Sequence, residues 1–148
     1  MPHATAPQPP AHNHLRLRHA ACALSVALLS LGSAHAADDA APKLHSAGKL
    51  QYTCGGIGKD ESTAMRAAMK DYPLALLFAG KDGEYLADLK VDIQPASGEA
   101  AQFTASGPVC LVKLADGAYT VTVTAPEGAK QSKKVEAGKG SKSLDFRF

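Results

Sequence analysis

The feature that most constrains the fold is a series of short runs after Pro73 in which apolar and polar residues alternate. The strictest is YTVTVT at residues 119–124, and Gly, Pro or Asp separates the runs about every ten residues. Alternation of this kind places every second side chain on the core face of a β-strand. Seven such runs predict a mainly β fold, an antiparallel seven-stranded β-sandwich. The seven runs are residues 74–79, 85–93, 101–105, 109–114, 119–124, 131–135 and 144–148.

One segment before Pro73 has a helical pattern. Its apolar residues fall on one helical face, and they are Ala64, Met65, Ala68, Met69 and Tyr72. Asp60 or Ser62 is expected to cap the start, and Pro73 to end the helix. The fold prediction therefore includes one short N-terminal α-helix.

The first 36 residues have the composition of a secretory signal peptide. Arg16 and Arg18 precede the apolar run 20–32, and the small residues around His35 fit a cleavage site after Ala36. The run is shorter than the roughly 20 residues that span a bilayer. Cys22 is misplaced for lipidation, so a periplasmic, non-lipidated protein is expected. Residues 37–50 are then predicted to be a flexible leader, and residues 51–148 the single folded domain.

Removal of the signal peptide changes the charge balance. The whole chain has 16 basic and 14 acidic residues, and without Arg16 and Arg18 the two numbers are equal. A neutral domain lacks the basic footprint of nucleic-acid binding. Five of the six histidines lie in residues 1–36, so His45 alone remains.

Two cysteines, Cys54 and Cys110, remain in the predicted mature chain. In an oxidising compartment such a pair is typical of a structural disulfide, and two free buried thiols are the main alternative. A redox pair is disfavoured because there is no C-x-x-C spacing. Structural zinc is disfavoured because two thiolates and one distant histidine do not supply four ligands.

The stretch CGGIGKDES at residues 54–62 suggests a phosphate-binding loop, but its spacing excludes one. A Walker loop requires G-x-x-x-x-G-K-[ST]. Relative to Gly58 and Lys59, Thr53 stands where the first glycine belongs, and Asp60 stands at the hydroxyl position. The stretch is better interpreted as a tight turn that leads into the helix.

No catalytic, cofactor-binding or metal-binding residue is predicted. A serine or cysteine triad would have to use His45, which lies in the predicted leader. Asp88 and Asp92 alternate outward on a strand, where solvation accounts for them. The chain is therefore expected not to be an enzyme.

Exposed loops are the first candidates for contact with a partner. They are the turn Lys81, Asp82 and Gly83 and the turn Asp116 and Gly117, both expected at one end of the sandwich. The second turn is also expected to form a β-hairpin between residues 109–114 and 119–124. Tyr72 and Tyr85 are weaker candidates.

Lysines concentrate near the C-terminus at Lys130, Lys133 and Lys134, followed by Lys139 and Lys142. One interpretation is contact with a polyanion such as an anionic glycan or lipid headgroups. The other, which we favour on the sequence, is that lysines protect an exposed strand edge from aggregation.

Several segments together resemble a known family. The hairpin LADGAYTVTVTAPEG resembles that of carboxypeptidase regulatory-like domains, which are transthyretin-like (prealbumin-like) sandwiches. With GGIGKDES, LALLFA, GEYLADLKVDI and SGPVCLVKL, residues 50–148 resemble small exported proteobacterial proteins that carry this domain and lack an assigned activity. The resemblance implies the fold and a periplasmic address, and it supplies no catalytic residue.

The sequence as a whole favours an exported, monomeric, non-enzymatic binding or interaction module without a cofactor. Its partner would be a protein or an envelope glycan. The alternatives are a small periplasmic hydrolase that uses carboxylates, and a structural or envelope-assembly protein associated with the outer membrane.

Overall fold

The structure is a computed structural model and describes residues 42–148, so the predicted signal peptide lies outside the described residues. Two β-sheets pack against each other, and one α-helix lies on the outer face of the larger sheet. The mainly β sandwich with one short helix is therefore confirmed. Within the described residues no helix is long and apolar enough to cross a membrane.

The elements follow one another along the chain with short connections. They are β1 (His45–Ala47), β2 (Leu50–Gly55), α1 (Lys59–Ala68), a 3-10 turn (Met69–Asp71), β3 (Leu74–Ala79), β4 (Leu89–Pro95), β5 (Ala101–Ala105), β6 (Val109–Lys113), β7 (Gly117–Thr124), β8 (Lys130–Ala137) and β9 (Lys142–Arg147). The five-stranded sheet has the order β1-β2-β6-β3-β9, and the four-stranded sheet has the order β5-β4-β7-β8.

The strand number differs from the prediction of seven, because residues 42–148 contain nine. Both extra strands, β1 and β2, precede α1, and β1 lies in the segment 37–50 that was expected to be a flexible leader. Their sequence alternates too briefly to be recognised. They form because β2 pairs with β6 along most of its length and β1 pairs with β2.

Strand pairing also corrects the prediction that the sandwich is antiparallel throughout. Strand β9 runs parallel to β3, from the pair Leu74 and Lys142 to the pair Ala79 and Arg147. The reason is that β8 ends opposite Gly117, at the end of the sandwich where β3 begins, so the chain crosses to the other sheet there and β9 runs in the same direction as β3. Parallel pairing requires a crossover of this kind, which a hairpin cannot provide.

The predicted hairpin at Asp116 and Gly117 is wrong. Strand β6 already has β2 and β3 as neighbours, so β7 cannot pair with it and joins the four-stranded sheet instead. Residues 114–116 form an arch between the sheets, and Gly117 follows with a φ of 149°. The phenol of Tyr119 donates to the Ala115 carbonyl at 2.8 Å and holds the arch in place.

The start of α1 differs from the predicted cap. Gly58 is the N-cap, and no side chain caps the helix there. Glu61 reaches back instead, and its Oε2 accepts a hydrogen bond from the Ile57 N–H at 3.2 Å. Asp60 and Glu61 lie in the first turn, where negative charge interacts favourably with the helix dipole. Gly56 makes the preceding turn with a φ of 89°, a conformation that favours glycine.

The central strands of the five-stranded sheet, β6 and β3, are largely buried on both faces. Leu76, Phe78 and Phe146 face the four-stranded sheet, and Ala75 and Leu111 face α1. Between the sheets, Tyr52 of β2 stacks on Phe103 of β5 with ring centroids 3.9 Å apart. The helix therefore covers one face of this sheet and the second sheet covers the other.

The predicted disulfide is confirmed. Cys54 and Cys110 lie directly opposite each other on β2 and β6, with Cα atoms 4.1 Å apart and an S–S distance of 1.96 Å. Cys110 is completely buried. The bond fixes the N-terminal strand pair, β1 and β2, to the centre of the five-stranded sheet.

We expect replacement of both cysteines by alanine to lower the free energy of unfolding by about 2–4 kcal/mol. The bond joins residues 56 positions apart, and closing a loop of this length restricts the unfolded chain. Urea unfolding, with and without reductant, measures the change. As the control, reductant should shift the unfolding midpoint of the wild type and leave that of the double variant unchanged. Two free thiols in protein isolated under alkylating conditions would refute the bond.

Candidate functional site

The outer face of the four-stranded sheet, which we call the lysine face, is open to solvent. Among residues 42–148, no helix lies on it as α1 lies on the other sheet. Every outward side chain of its strands is exposed or half-buried. A shallow depression of about 610 Å³ lies between Lys90 and Lys130.

The strand register places the residues of this face in rows across the sheet. Lys90 on β4 is opposite Thr124 on β7, which is opposite Lys130 on β8. The next rows are formed in the same way. They contain Gln102, Asp92, Thr122 and Ser132, then Gln94, Thr120 and Lys134, and then Ala118 and Glu136. The face is therefore rich in hydroxyl, amide and ammonium groups and carries no aromatic side chain.

The polar side chains of the second row form two hydrogen-bonded pairs. Gln102 Nε2 donates to Asp92 Oδ2 at 2.7 Å, and the hydroxyls of Thr122 and Ser132 are 2.7 Å apart. The three lysines of the face, in contrast, make no ion pair or side-chain hydrogen bond with a residue in 42–148. Their ammonium groups are available to an external anion.

Lys133 belongs to a different surface from Lys130 and Lys134, with which the sequence grouped it. Its Nζ donates to the Asp145 carbonyl and lies 5.3 Å from the centroid of the Phe146 ring. Next to it, the Gln131 amide donates to the Arg147 carbonyl. These two side chains bridge from the edge of one sheet to the edge of the other, so Lys133 covers strand edges.

The two predicted contact loops lie at opposite ends of the sandwich, which corrects the expectation that they share one end. Strand β4 begins at Leu89, just after the turn at Lys81–Gly83, and ends at Pro95. Pro95 is paired with Tyr119, next to the Asp116 arch. Both turns are exposed, but one partner surface of ordinary size would not contact both of them.

Tyr85 lies at the end of the molecule that carries the Lys81 turn, beside α1. It is 53% exposed, and its ring centroid is 6.0 Å from Arg66 Cζ. Arg66 Nε also lies 3.4 Å from the buried Ser62 hydroxyl. Hydrogen bonding with Ser62, and secondly the Arg66 guanidinium, lowers the pKa of the Tyr85 phenol below its ordinary value. This is a polar cluster assembled from α1 and the loop after β3.

The other predicted candidates have structural contacts. Tyr72 packs against the core under α1, and Lys113 Nζ lies 5.4 Å from its ring centroid. The His45 ring is 5.5 Å from that of Tyr52. No three His, Cys, Asp or Glu side chains within residues 42–148 come together as a metal site would require.

Sequence reasoning missed Lys90 and Arg66. Alternation placed Lys90 on the outer side of its strand, but only the pairing of β4 with β7 and β7 with β8 shows that it shares a row with Lys130. Arg66 carried no signal, because its neighbour Tyr85 is 19 positions away and meets it through the fold.

Comparison with known proteins gave no relative: no family model matches the chain, and no curated protein matches it significantly.

We expect replacement of Ser62 by alanine, or of Arg66 by glutamine, to raise the pKa of Tyr85 toward the ordinary value for tyrosine. Each change removes a group that favours the phenolate. Ultraviolet titration measures the change, and a Tyr85→Phe variant identifies the phase that belongs to this residue. If both variants keep the wild-type titration curve, the cluster does not exist in solution.

Proposed function

We propose that the chain is an exported, non-enzymatic binding module that contacts an anionic, hydroxyl-bearing polymer through the lysine face. The observation that carries the proposal is the arrangement of Lys90, Lys130 and Lys134 on one uncovered sheet face. Lys130, Lys133 and Lys134 all lie on β8, an edge strand of the four-stranded sheet, where lysines also oppose edge-to-edge pairing. We prefer binding to the edge protection favoured on the sequence because Lys130 and Lys134 share the open face with Lys90, whereas Lys133 contacts β9.

The spacing of the three ammonium groups suits a polymer better than a small anion. Lys90 and Lys130 are separated by one intervening strand, which corresponds to about 10 Å. Lys134 is four residues further along β8, or about 13 Å. Long lysine side chains at these intervals can each reach a different charge of an extended polyanion.

The rest of the face supplies hydrogen-bonding groups to a hydroxylated chain. Thr120, Thr122 and Thr124 form a central column of hydroxyls on β7. The acidic side chains of the rows are Asp92 and Glu136, and Asp92 already accepts a bond from Gln102. Positive charge therefore exceeds negative charge on the face, although the predicted mature chain is neutral.

Such binding should be weak and sensitive to salt. Each of the three exposed lysines contributes little binding free energy, and salt screens exposed charges. Release of counterions from the polymer should give a salt dependence that corresponds to about three contacts.

We expect the triple variant Lys90→Gln, Lys130→Gln, Lys134→Gln to bind polygalacturonate at least tenfold more weakly at low salt than the wild type does. Titration calorimetry at several salt concentrations measures both the affinity and its salt dependence. Neutral dextran should not bind to either protein.

The matched control removes the same charge from other surfaces. The variant Lys59→Gln, Lys70→Gln, Lys81→Gln changes three exposed lysines on α1, the 3-10 turn and the loop after β3. It should keep wild-type affinity. The proposal would be contradicted if both triple variants lost the same amount of affinity, or if the wild type did not bind polygalacturonate at low salt.

The sequence of residues 16–36 supports export, and the disulfide is compatible with it. We expect the protein expressed with its full sequence in a Gram-negative host to be recovered from the periplasm with Ala37 as its first residue. Fractionation and N-terminal mass spectrometry test this. Recovery of the uncleaved chain from the cytoplasm would count against export.

We also propose that the domain is a carboxypeptidase regulatory-like, transthyretin-like sandwich with additional strands. The two packed sheets support this relationship. Strands β1 and β2 would then be the elements that the disulfide attaches to the sandwich.

A further inference from the structure

A small cleft of about 80 Å³ lies on the helix side of the five-stranded sheet, away from the lysine face. Its lining includes Arg66 of α1, Tyr85 of the loop after β3, and Arg147 of β9. The cleft therefore brings two arginines and a tyrosine together from three separate parts of the chain.

The sheet register accounts for the way Tyr85 and Arg147 come to flank the cleft. Ala79 at the end of β3 pairs with Tyr85 on one side and with Arg147 on the other. Paired residues of adjacent strands point to the same face of a sheet, so all three face the helix side. Because the side chain of Ala79 is small, it leaves space between its two neighbours, Tyr85 and Arg147.

The backbone around the cleft is held by hydrogen bonds. Gly80 N–H donates to the Glu84 carbonyl at 2.9 Å and closes the turn before Tyr85. Lys81 N–H donates to the Phe148 carbonyl at 2.9 Å and joins that turn to the segment after β9. Tyr85 and Arg147 are therefore held at a fixed separation before any ligand binds.

Arg66 is oriented from the helix. Its Nε lies 3.4 Å from the Ser62 hydroxyl, and Ser62 is buried and so has a fixed position. This contact uses one edge of the guanidinium. Neither Arg66 nor Arg147 forms an ion pair with a carboxylate of residues 42–148, so donors of both remain available.

The charge of the cleft indicates which anion it accepts. Asp145 also lines it, next to two arginines, so the lining carries one net positive charge. A monoanion balances that charge, whereas a phosphate dianion would be repelled by Asp145. The planar fork of arginine matches the two oxygens of a carboxylate.

We propose that this cleft binds the carboxylate of a small ligand between Arg66 and Arg147, with the apolar part of the ligand on the exposed ring of Tyr85. The carboxylate can belong to a free aromatic acid or to the end of a peptide. Both sources present the same group next to an apolar one.

Two-dimensional NMR with benzoate and with N-acetylphenylalanine tests the two sources. We expect saturable shifts at residues around the cleft with one or both, at millimolar affinity, and the tighter ligand identifies the source. The matched neutral compounds, benzamide and N-acetylphenylalaninamide, should bind at least tenfold more weakly. Equal binding of acid and amide, or no saturable shift with either acid, would overturn the proposal.

Variants separate the roles of the cleft residues. Arg66→Gln should weaken binding of the acid about tenfold or more, because charge-assisted hydrogen bonds are lost. Ala79→Val should also weaken it, because the added methyl groups fill the space between Tyr85 and Arg147 while every charge is kept. Unchanged affinity in Arg66→Gln would overturn the proposal.

The control variants make a failure here distinguishable from a failure of the polymer proposal. Lys70→Gln removes a charge from the turn after α1 and should leave acid binding unchanged. The triple variant of the lysine face should also bind the acid like the wild type. A loss of acid binding in that triple variant would show that the acid binds elsewhere, and would overturn the assignment to the cleft.

Discussion

The burial of strand β6 on both faces is the constraint on which the rest of the structure depends. Val109, Cys110, Leu111 and Val112 are all completely buried. Two of them face the second sheet and two face α1. The strand cannot be stable unless both the second sheet and α1 cover it. Its two edges are paired with β2, to which the disulfide also joins it, and with β3. The helix therefore packs on this sheet, and no other helix of residues 42–148 covers the outer face of the four-stranded sheet.

The sequence predicted what depends on local pattern. Alternation identified the strands after Pro73, because a strand with one buried face has an apolar side chain at every second position. The uninterrupted run VCLV in β6 differs from this pattern because both of its faces are covered, as is typical of a central strand. The cysteine pair was predicted because an oxidising compartment favours a bond between the two cysteines of a small exported domain. None of these inferences requires knowledge of which strands are neighbours.

Apart from the cap of α1, the errors concern which strands are neighbours. Asp116 and Gly117 have the composition of a hairpin turn, but both edges of β6 are taken, so β7 crosses to the other sheet. The parallel pairing of β9 with β3 and the role of Lys133 follow from the same crossing of the chain between sheets. Strands β1 and β2 were missed because their stability comes from pairing and from a covalent bond, which local propensity does not report.

The two candidate sites can be recognised because the fold does not dictate their composition. The outer positions of β7 and β8 require only polar side chains that tolerate a strand. Glutamine or serine on β8, next to the threonines of β7, would meet that requirement as well as lysine does. Other polar residues would therefore serve the fold at these positions, and the register does not require that Lys90 of β4 and Lys130 of β8 share one row. At the cleft, Ala79 is small at the one outer position of β3 that lies between Tyr85 and Arg147, although a larger residue would bury more apolar surface. The equal numbers of acidic and basic residues in the segment 37–148 thus conceal two local excesses of positive charge. Because one lies on each sheet and they share no residue, the two sites can be lost independently.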